Sequence, residues 1–262
     1  SVYGKNGTGT TINSFNLRVE SGRFTNSYLF NGNSTVTSAF TVNATYGNDY
    51  DRAKNTNTNL TIAGPVEVAL DTKCSSANSV VNMKTLSGTF GANADNNELY
   101  MGFENVGTTN SRTHRNLEVL GGNFLGGISG GIEYGVANTT EILKIRIKGG
   151  TIHRYLYGSG QYASAVGTRK MIITGGTFDA WVAGGCYGTD ANGRAGNTDG
   201  DSYTYFGGEA TMTNTDGVFG GGYGRGDAGD NKYTINKSFV VVADEAQIAG
   251  NVYGGGNKGY NT

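Results

Sequence analysis

The stretch Leu117–Phe124 reads LEVLGGNF, and its pattern, apolar-x-apolar-x-Gly-Gly-x-apolar, recurs throughout the chain. Clear copies are LRVESGRF at 17–24, MKTLSGTF at 83–90, IRIKGGTI at 145–152 and MIITGGTF at 171–178. Weaker copies are LTIAGPV from residue 60, ATMTNTDGVF from residue 210 and VVVADEAQI from residue 240. About eight copies of one phrase in one chain indicate a repeat architecture.

The phrase has the hydrophobic period of a β-strand. Apolar and polar residues alternate for about five positions, as in a strand with one buried face, and glycine then supplies the positive φ that a bend needs. Successive copies lie from about 24 to about 42 residues apart, and such variable connections are typical of a solenoid. A β-propeller would need blades of nearly constant length, and its WD and kelch signatures are missing. The sequence therefore predicts an all-β chain that forms a parallel β-helix, in which each strand pairs with its counterpart in the next coil.

The GGT(F/I) phrases, together with Tyr-Gly phrases such as VYGGGN at 252–257, resemble the repeats of a protein family. The family comprises large, surface-exposed, right-handed parallel β-helix proteins of bacteria, of the adhesin-like kind. The similarity extends over nearly the whole chain; it implies an extracellular or cell-surface location and a structural or binding role, and it carries over no catalytic residue. We therefore expect a single right-handed parallel β-helix of about eight coils over residues 1–262, as a segment or subunit of a longer array. Irregular excursions are expected near 47–58, 102–115 and 189–208.

Composition limits the range of functions. The chain has 262 residues with 45 Gly, 1 Pro and 36% hydrophobic residues, and its 16 Tyr and 11 Phe supply apolar area for a fold. Its 20 basic and 21 acidic residues leave a net charge of -1, without a basic run interleaved with aromatics, so we expect no nucleic-acid partner. No run reaches the roughly 18 apolar residues of a membrane span. Cys74 and Cys186 lie far apart in the repeats and are expected to be buried thiols without a disulfide.

Stacking the copies in register predicts three columns of core side chains. The first holds Leu17, Leu60, Met83, Leu117, Ile145 and Met171; the second holds Val19, Ile62, Val119, Ile147, Ile173, Met212 and Val242; the third holds Phe24, Phe90, Phe124, Ile152, Phe178 and Ile248. The Tyr-Gly pairs that begin at Tyr157, Tyr187, Tyr223 and Tyr253 predict an aromatic ladder at a corner. The alternative is a tyrosine platform that binds glycans.

Two outward pairs follow the third core column in neighbouring repeats. His153 and Tyr155 follow one copy, and Asp179 and Trp181 follow the next. A strand spacing of about 4.8 Å would place His153 beside Asp179 and Tyr155 beside Trp181. An exposed aromatic pair beside a His–carboxylate pair could hold a glycan by stacking and hydrogen bonding, or could supply a general acid and base. The alternative is that the rings pack under one of the long connections.

The run DANGRAGNTDGD at 190–201 alternates oxygen ligands with glycines, so it is a candidate calcium loop. The candidate ligands are Asp190, Asn192, Asp199 and Asp201. Arg194 stands where the EF-hand pattern has a ligand, and the alternative is a solvated loop. Calcium is the one cofactor that the sequence suggests. The RGD tripeptide at 225–227 is an integrin-binding motif that a Gly-rich chain also produces by chance.

The leading functional hypothesis is a non-catalytic, extracellular structural or adhesive module. The alternative is a carbohydrate-active β-helix enzyme, a polysaccharide lyase or hydrolase, but the outward strand positions show no Asp/Glu pair on neighbouring copies for calcium binding or acid–base work. The phrase Val-Tyr-Gly stands at 2–4 and at 252–254, and neither end carries a polar or helical cap. The expected partners are therefore further copies joined head to tail into a filament, or flanking repeats, with glycans as another candidate.

Overall fold

The computed structural model of the chain describes residues 1–5, 14–30, 39–68, 79–92, 98–101, 105–109, 113–131, 134–140, 143–160, 162–187, 198–223, 234–256 and 260–261. Within these ranges it has one short helix, α1 (Asp49–Lys54), and many short strands. In chain order the strands are β1 (Val2–Lys5), β2 (Ser14–Val19), β3 (Gly22–Phe24), β4 (Ser27–Phe30), β5 (Thr41–Tyr46), β6 (Leu60–Ile62), β7 (Val66–Glu67), β8 (Ser79–Thr85), β9 (Thr89–Phe90), β10 (Leu99–Tyr100), β11 (Asn105–Thr109), β12 (Thr113–Val119), β13 (Asn123–Phe124), β14 (Ile128–Ser129), β15 (Tyr134–Thr140), β16 (Leu143–Ile152), β17 (Leu156–Tyr157), β18 (Tyr162–Val166), β19 (Arg169–Phe178), β20 (Val182–Ala183), β21 (Thr198–Phe206), β22 (Thr211–Met212), β23 (Val218–Phe219), β24 (Thr234–Val242), β25 (Gln247–Ile248), β26 (Val252–Tyr253) and β27 (Tyr260–Asn261).

Most of the strands form three long ladders, in which each strand pairs with its counterpart from the next repeat. A further parallel ladder joins β11, β15, β18, the starts of β21 and β24, and β27. The first ladder contains β2, β5, β8, β12, the beginnings of β16 and β19, β21 and β24. The second contains β3, β6, β9, β13, the ends of β16 and β19, β22 and β25. The third is a nine-stranded sheet of β1, β4, β7, β10, β14, β17, β20, β23 and β26. All of these pairings are parallel, so the prediction of an all-β chain built from parallel strands is confirmed.

The register of the ladders shows which side chains share a column. The first column joins Leu17, Ala44, Met83, Leu117, Ile145, Met171, Thr204 and Val240. The second joins Val19, Tyr46, Thr85, Val119, Ile147, Ile173, Phe206 and Val242. The third joins Phe24, Ile62, Phe90, Phe124, Ile152, Phe178, Met212 and Ile248. Most members of all three columns are buried, and together they form the core.

Three of the predicted column positions are wrong. Ile62 and Met212 belong to the third column, not the second, and Leu60 lies opposite Gly22 at the start of the second ladder. The segments around residues 60 and 210 are therefore second-ladder strands, and the copies that begin there in the sequence pattern are only half copies.

Two first-ladder strands, β5 and β21, do not match the repeat phrase. Their inward residues are Ala44 and Tyr46 in β5, and Thr204 and Phe206 in β21. All four side chains are buried. Alanine and threonine at a first-column position conceal the apolar alternation, which explains why the sequence pattern does not reveal these strands.

Each predicted excursion contains regular structure. Residues 47–58 contain α1, whose preceding residue Asn48 caps it by accepting a hydrogen bond from the backbone N–H of Asp51 at 2.8 Å. The segment 102–115 contains β11 and the start of β12, and the segment 189–208 contains β21. The prediction of irregular excursions is wrong for these described parts. The strands among them are rich in Thr, Asn and Asp and lack the hydrophobic period that marks a strand.

The second glycine of the phrase forms the bend between the first and second ladders. Positive φ values from 90° to 124° occur there in five repeats, at Gly22, Gly88, Gly122, Gly150 and Gly176. At Gly122 a Cβ would lie 2.9 Å from the ring of Phe90 and 3.1 Å from the ring of Phe124. The predicted use of glycine for positive φ is therefore confirmed, and close packing of the rings adds a second reason for it.

Two arginines occupy inward positions of the first ladder, on either side of Leu143. Both are buried; Arg115 Nη1 donates to the carbonyl of Met101 at 2.6 Å, and Arg169 Nε donates to Oγ of Ser159 at 3.0 Å. Both acceptors lie in the turns that follow the third ladder. Each guanidinium therefore connects the first ladder to a turn on the opposite side of the core, where its donors need acceptors.

The thiol of Cys186 is fully buried in the turn after β20, as expected. Cys74 lies outside the described residues, so the absence of a disulfide stays a prediction. Among the residues that the structure describes, no helix is long and apolar enough to cross a membrane.

Replacing Gly122 by Ala is expected to lower the free energy of unfolding by about 2 kcal/mol or more, because the new Cβ meets both an unfavourable φ and two phenyl rings. Gly254→Ala is the matched control, since a Cβ there meets nothing within 4 Å, and it should change stability by less than about 0.5 kcal/mol. Urea unfolding followed by circular dichroism measures both variants. Equal losses would contradict the role of the Gly122 bend.

Burial raises the pKa of Tyr46 from 10.0 to about 12, and a hydrogen bond with Ser27 opposes the shift only in part. The folded state holds the phenolic proton more tightly than the unfolded chain, so this contribution is complete below about pH 10 and is lost as the pH rises toward 12. We expect Tyr46→Phe to reduce the slope of unfolding free energy against pH in that range by up to about 1.4 kcal/mol per pH unit. Urea unfolding at pH 8, 10, 11 and 12 measures it, and parallel curves for the two proteins would refute it.

Candidate functional site

His153 and Asp179 lie next to each other, as predicted, at the bend that follows the second ladder. His153 directly follows β16, Asp179 directly follows β19, and the backbone N–H of Asp179 donates to the carbonyl of Ile152. His153 Nδ1 lies 2.7 Å from Asp179 Oδ2, and both side chains are more than a third exposed. The pair is a surface interaction between neighbouring repeats.

The pair belongs to a longer row of polar contacts. The other ring nitrogen of His153, Nε2, lies 2.7 Å from Oδ1 of Asn123, and Oδ1 of Asp179 accepts a hydrogen bond from Oγ1 of Thr213 at 2.8 Å. The four residues come from four successive repeats. Both ring nitrogens of His153 contact side chains of this protein, so the ring is held between the neighbouring repeats.

Trp181 packs between rings from the repeats on either side. Its ring centroid lies 5.7 Å from that of Tyr155 in the preceding repeat and 4.3 Å from that of Tyr223 in the following repeat, with interplanar angles of 23° and 8°. Its Nε1 donates to the hydroxyl of Tyr157 at 2.8 Å, and the Tyr187 ring lies 6.3 Å away. Because rings from both neighbouring repeats stack on the partly buried indole, Trp181 is not an exposed platform for a sugar ring.

Tyr155 is buried, which corrects the prediction of an exposed aromatic pair. It is 6% exposed, and its hydroxyl donates to Oε1 of the buried Glu98. The cluster extends to Tyr157, whose pKa burial raises well above its ordinary value. Tyr187 and Tyr223, from the turns that follow β20 and β23, pack against these rings. The rings therefore pack on one another and on tyrosines of the neighbouring turns, and the long connections named in the alternative lie outside the described residues.

The predicted ladder of Tyr-Gly tyrosines is confirmed in part, because Tyr187 stacks on Tyr223 while Tyr157 is tilted against Tyr187 and Tyr253 stacks on a phenylalanine. The ring centroids of Tyr157 and Tyr187 are 5.4 Å apart, and those of Tyr187 and Tyr223 are 6.2 Å apart at an interplanar angle of 8°. Tyr253 stacks on Phe219 at 4.8 Å and 1°. The alternative role of these tyrosines as a glycan platform stays a prediction.

The predicted calcium site falls largely outside the described residues. Asp190 and Asn192 lie outside them, and Asp199 lies in β21, where only its backbone is described. Asp201 is also part of β21, not of a loop, and its Oδ1 accepts a hydrogen bond from Asn236 at 2.8 Å. In the described ranges, no group of three or more His, Cys, Asp or Glu side chains could hold a metal ion. The RGD tripeptide lies outside these ranges as well.

A row of asparagines runs along the outward face of the first ladder. Nδ2 of Asn43 donates to Oδ1 of Asn16 at 2.8 Å, Asn82 donates in the same way to Asn43 at 2.9 Å, and Asn116 to Asn82 at 2.9 Å. Each asparagine directly precedes the first core column, so the repeated Asn-apolar pair is a signal that the sequence does contain. It becomes visible only when β5 is recognised as a strand of the ladder.

The same outward face becomes basic beyond the asparagines. Lys144, Arg146 and Lys148 lie on the outward face of β16, and Lys170 lies on that of β19; we call these four residues the basic strip. Lys148 donates to Oε1 of Glu118 at 2.8 Å, and this hydrogen bond is the main cause that lowers the pKa of that carboxyl. Within the described ranges, Lys144 and Arg146 form no ion pair and no side-chain hydrogen bond.

Aromatic rings follow the basic strip on this face. Lys170 Nζ lies 5.8 Å from the ring centroid of Tyr203, and Tyr203 stacks on Phe239 of the next repeat at 4.7 Å and 2°. An open groove of about 520 Å³ runs beside the asparagines, Lys144 and Arg146. A second groove of about 420 Å³ runs beside Lys170 and the rings. The outward face therefore offers open, polar and positively charged surface, unlike the closed aromatic cluster.

Replacing Asp179 by Ala is expected to lower the free energy of unfolding by about 1 kcal/mol, since it removes the contacts to His153 and Thr213 from a partly exposed site. Glu245→Ala is the control, because Glu245 is exposed and should change stability by less than about 0.5 kcal/mol. Urea unfolding measures both. An Asp179→Ala variant as stable as the parent would show that the row does not join the repeats.

No protein-family model, curated protein or solved structure matches the chain. The resemblance to adhesin-like repeat proteins therefore stays an expectation from the repeat phrase. Three features of the described residues remain as guides to function: the closed aromatic cluster, the row through His153 and Asp179, and the open outward face with its basic strip.

Proposed function

We propose that the chain is a non-catalytic module of the extracellular space or cell surface, with a structural or adhesive role. Its architecture is a single right-handed parallel β-helix of about eight coils. In support, the chain passes through the first, second and third ladders in the same order in each repeat, and the pairings join successive repeats. Chain that progresses in this way winds as a helix, and parallel strands in one sheet are almost always joined by right-handed connections.

The exposure of apolar side chains in the first and last repeats is the main observation that supports the structural role. In the last repeat, Val242 is 44% exposed and Val252 is 46% exposed, although the equivalent residues of the preceding repeat are fully buried. In the first repeat, Leu17 and Phe24 are only partly buried, and they line an open groove of about 510 Å³. The terminal repeats thus present apolar side chains and strand edges that another parallel coil would bury and pair.

The two ends also match in register. If the columns continued past the last repeat into a second copy, Leu17 of that copy would stack on Val240 and its Phe24 on Ile248. Both contacts would join apolar side chains. Flanking repeats with the same columns would satisfy the ends equally well. Between two copies the contact is heterologous and does not close, so repetition of it produces a filament.

The alternative function, a carbohydrate-active enzyme, depends on the exposed pair of His153 and Asp179. It is weakened because both ring nitrogens of His153 contact side chains of the chain itself. Polygalacturonate and neutral polysaccharides can be screened for new reducing ends or unsaturated products, with and without calcium. Cleavage that His153→Ala or Asp179→Ala abolishes would overturn the non-catalytic proposal.

Val242→Glu is expected to prevent stacking of the ends, because it places a charge where an aliphatic side chain should be buried. The parent should sediment faster as its concentration rises and should form filaments in electron micrographs, whereas the variant should remain monomeric at concentrations about tenfold higher. Val241→Glu is the matched control, since Val241 is 52% exposed and lies on the outward face of the same strand; it should assemble like the parent.

If the parent is monomeric, hydrogen exchange at its two ends tests whether the ends are open. Rapid exchange of the amides in β24 and β26 would support open ends that await flanking repeats. Protected amides in a monomer would contradict the proposal, because the ends would then be closed without a further coil.

A further inference from the structure

We propose that the basic strip binds an acidic polysaccharide, whose carboxylates contact Lys144 and Arg146. This inference gives the adhesive role a ligand class, and it rests on the proposed function for the extracellular setting. The strip lies on the outward face of the first ladder, away from the terminal repeats, so it stays accessible when the ends are stacked on other coils.

Unneutralised charge is the first observation behind the proposal. Glu118 already interacts with Lys84 at 3.4 Å and with Lys148 at 2.8 Å. Lys144 and Arg146 form no ion pair within the described ranges, in a protein whose overall net charge is -1. A carboxylate supplied by a ligand would complete charge-assisted hydrogen bonds here, and the guanidinium of Arg146 can bind it in a bidentate manner.

The spacing of the cations suits a chain with repeated charges. Lys144 and Arg146 are two residues apart on one face of β16, which separates them by about 6.6 Å. Lys170 is the register partner of Lys144 on β19, about 4.8 Å away. Three cations spread over two strands beside an open groove fit successive carboxylates of a polymer better than they fit one small anion.

The aromatic rings beside the strip distinguish an acidic glycan from a neutral one. Neutral sugars depend on stacking against an exposed ring face. The Tyr203 ring has Lys170 on the side of the preceding repeat and Phe239 on the side of the following repeat, so its faces are occupied. Phe239 itself is 44% exposed, but it lies three strands away from Lys144. Recognition at Lys144 and Arg146 must therefore come from charge and from hydrogen bonds, which favours a uronate-bearing chain.

The same geometry disfavours nucleic acid. Proteins that bind single strands stack bases on aromatic faces along a positively charged groove. The faces of Tyr203 are occupied, and the exposed Phe239 lies three strands away from Lys144. One of the four cations, Lys148, is already engaged with Glu118. The strip is therefore short of both the stacking surface and the charge that a phosphate backbone would need.

The test is retention of the full chain on immobilised polygalacturonate, with dextran as the neutral polymer and oligo-dT as the nucleic acid. The parent should bind polygalacturonate at least about tenfold more tightly than either, and more weakly as sodium chloride increases. Lys144→Glu/Arg146→Glu should weaken this binding at least about tenfold. Equal binding to dextran, tighter binding to oligo-dT, or unchanged binding of the double variant would overturn the proposal.

Arg23→Glu/Lys54→Glu is the matched control, because it makes the same change of charge at two side chains on other elements that are exposed. Its binding should remain within about twofold of the parent. Lys144→Gln/Arg146→Gln removes the positive charges without adding negative ones and should still lose most of the binding, which guards against misfolding of the charge-reversal variant. Circular dichroism and the urea midpoint verify the fold of each variant.

Failure of this inference is distinguishable from failure of the proposed function. If the chain assembles through its ends but is not retained on polygalacturonate, the proposed ligand is wrong and the structural role still stands. If the chain cleaves polygalacturonate, the non-catalytic proposal is wrong, whatever the affinity of the chain for the polymer.

Discussion

Parallel pairing of each strand with the same strand of the next repeat is the constraint on which the rest of the structure depends. The register fixes which side chains meet, so equivalent positions form columns along the ladders, and a favourable choice at one position is repeated in the next. Phe90 stacks on Phe124 at 4.9 Å and 15° for this reason, and the asparagines of the outward face form a continuous row. The connections leave the ladders between strands, so their lengths vary without changing the register.

The same register produces two kinds of polar arrangement. Inside, Arg115 and Arg169 are buried among apolar neighbours and reach acceptors in the turns, since an unsatisfied guanidinium there would be costly. Outside, His153 and Asp179 connect repeats in a row, while Arg146 finds no partner in the described part of the chain. Accessibility therefore separates the candidate sites better than residue type does: the aromatic cluster is covered by its own chain, and the basic strip is open.

Apolar residues alternate with polar ones, and glycine follows them at fixed positions. This pattern was enough to predict a parallel, all-β repeat from the sequence. Equal offsets from the third column were enough to place His153 beside Asp179 and Tyr155 beside Trp181, because equivalent positions on paired strands must be neighbours. Local sequence did not reveal β5 or β21. The inward Ala44 is too small to mark a strand by itself, and it becomes a core residue only through the strands on either side.

The sequence by itself thus determined the repeat, the glycine bends and the neighbours across most of the ladders, all of which follow from the local pattern. Only the tertiary structure decided exposure. Trp181 is covered because Tyr223 reaches back from the turn of another repeat, and Lys144 joins Lys170 in one basic strip because their strands pair. Such contacts join residues far apart in the chain, and they depend on turn conformations and connection lengths that a short hydrophobic period does not encode.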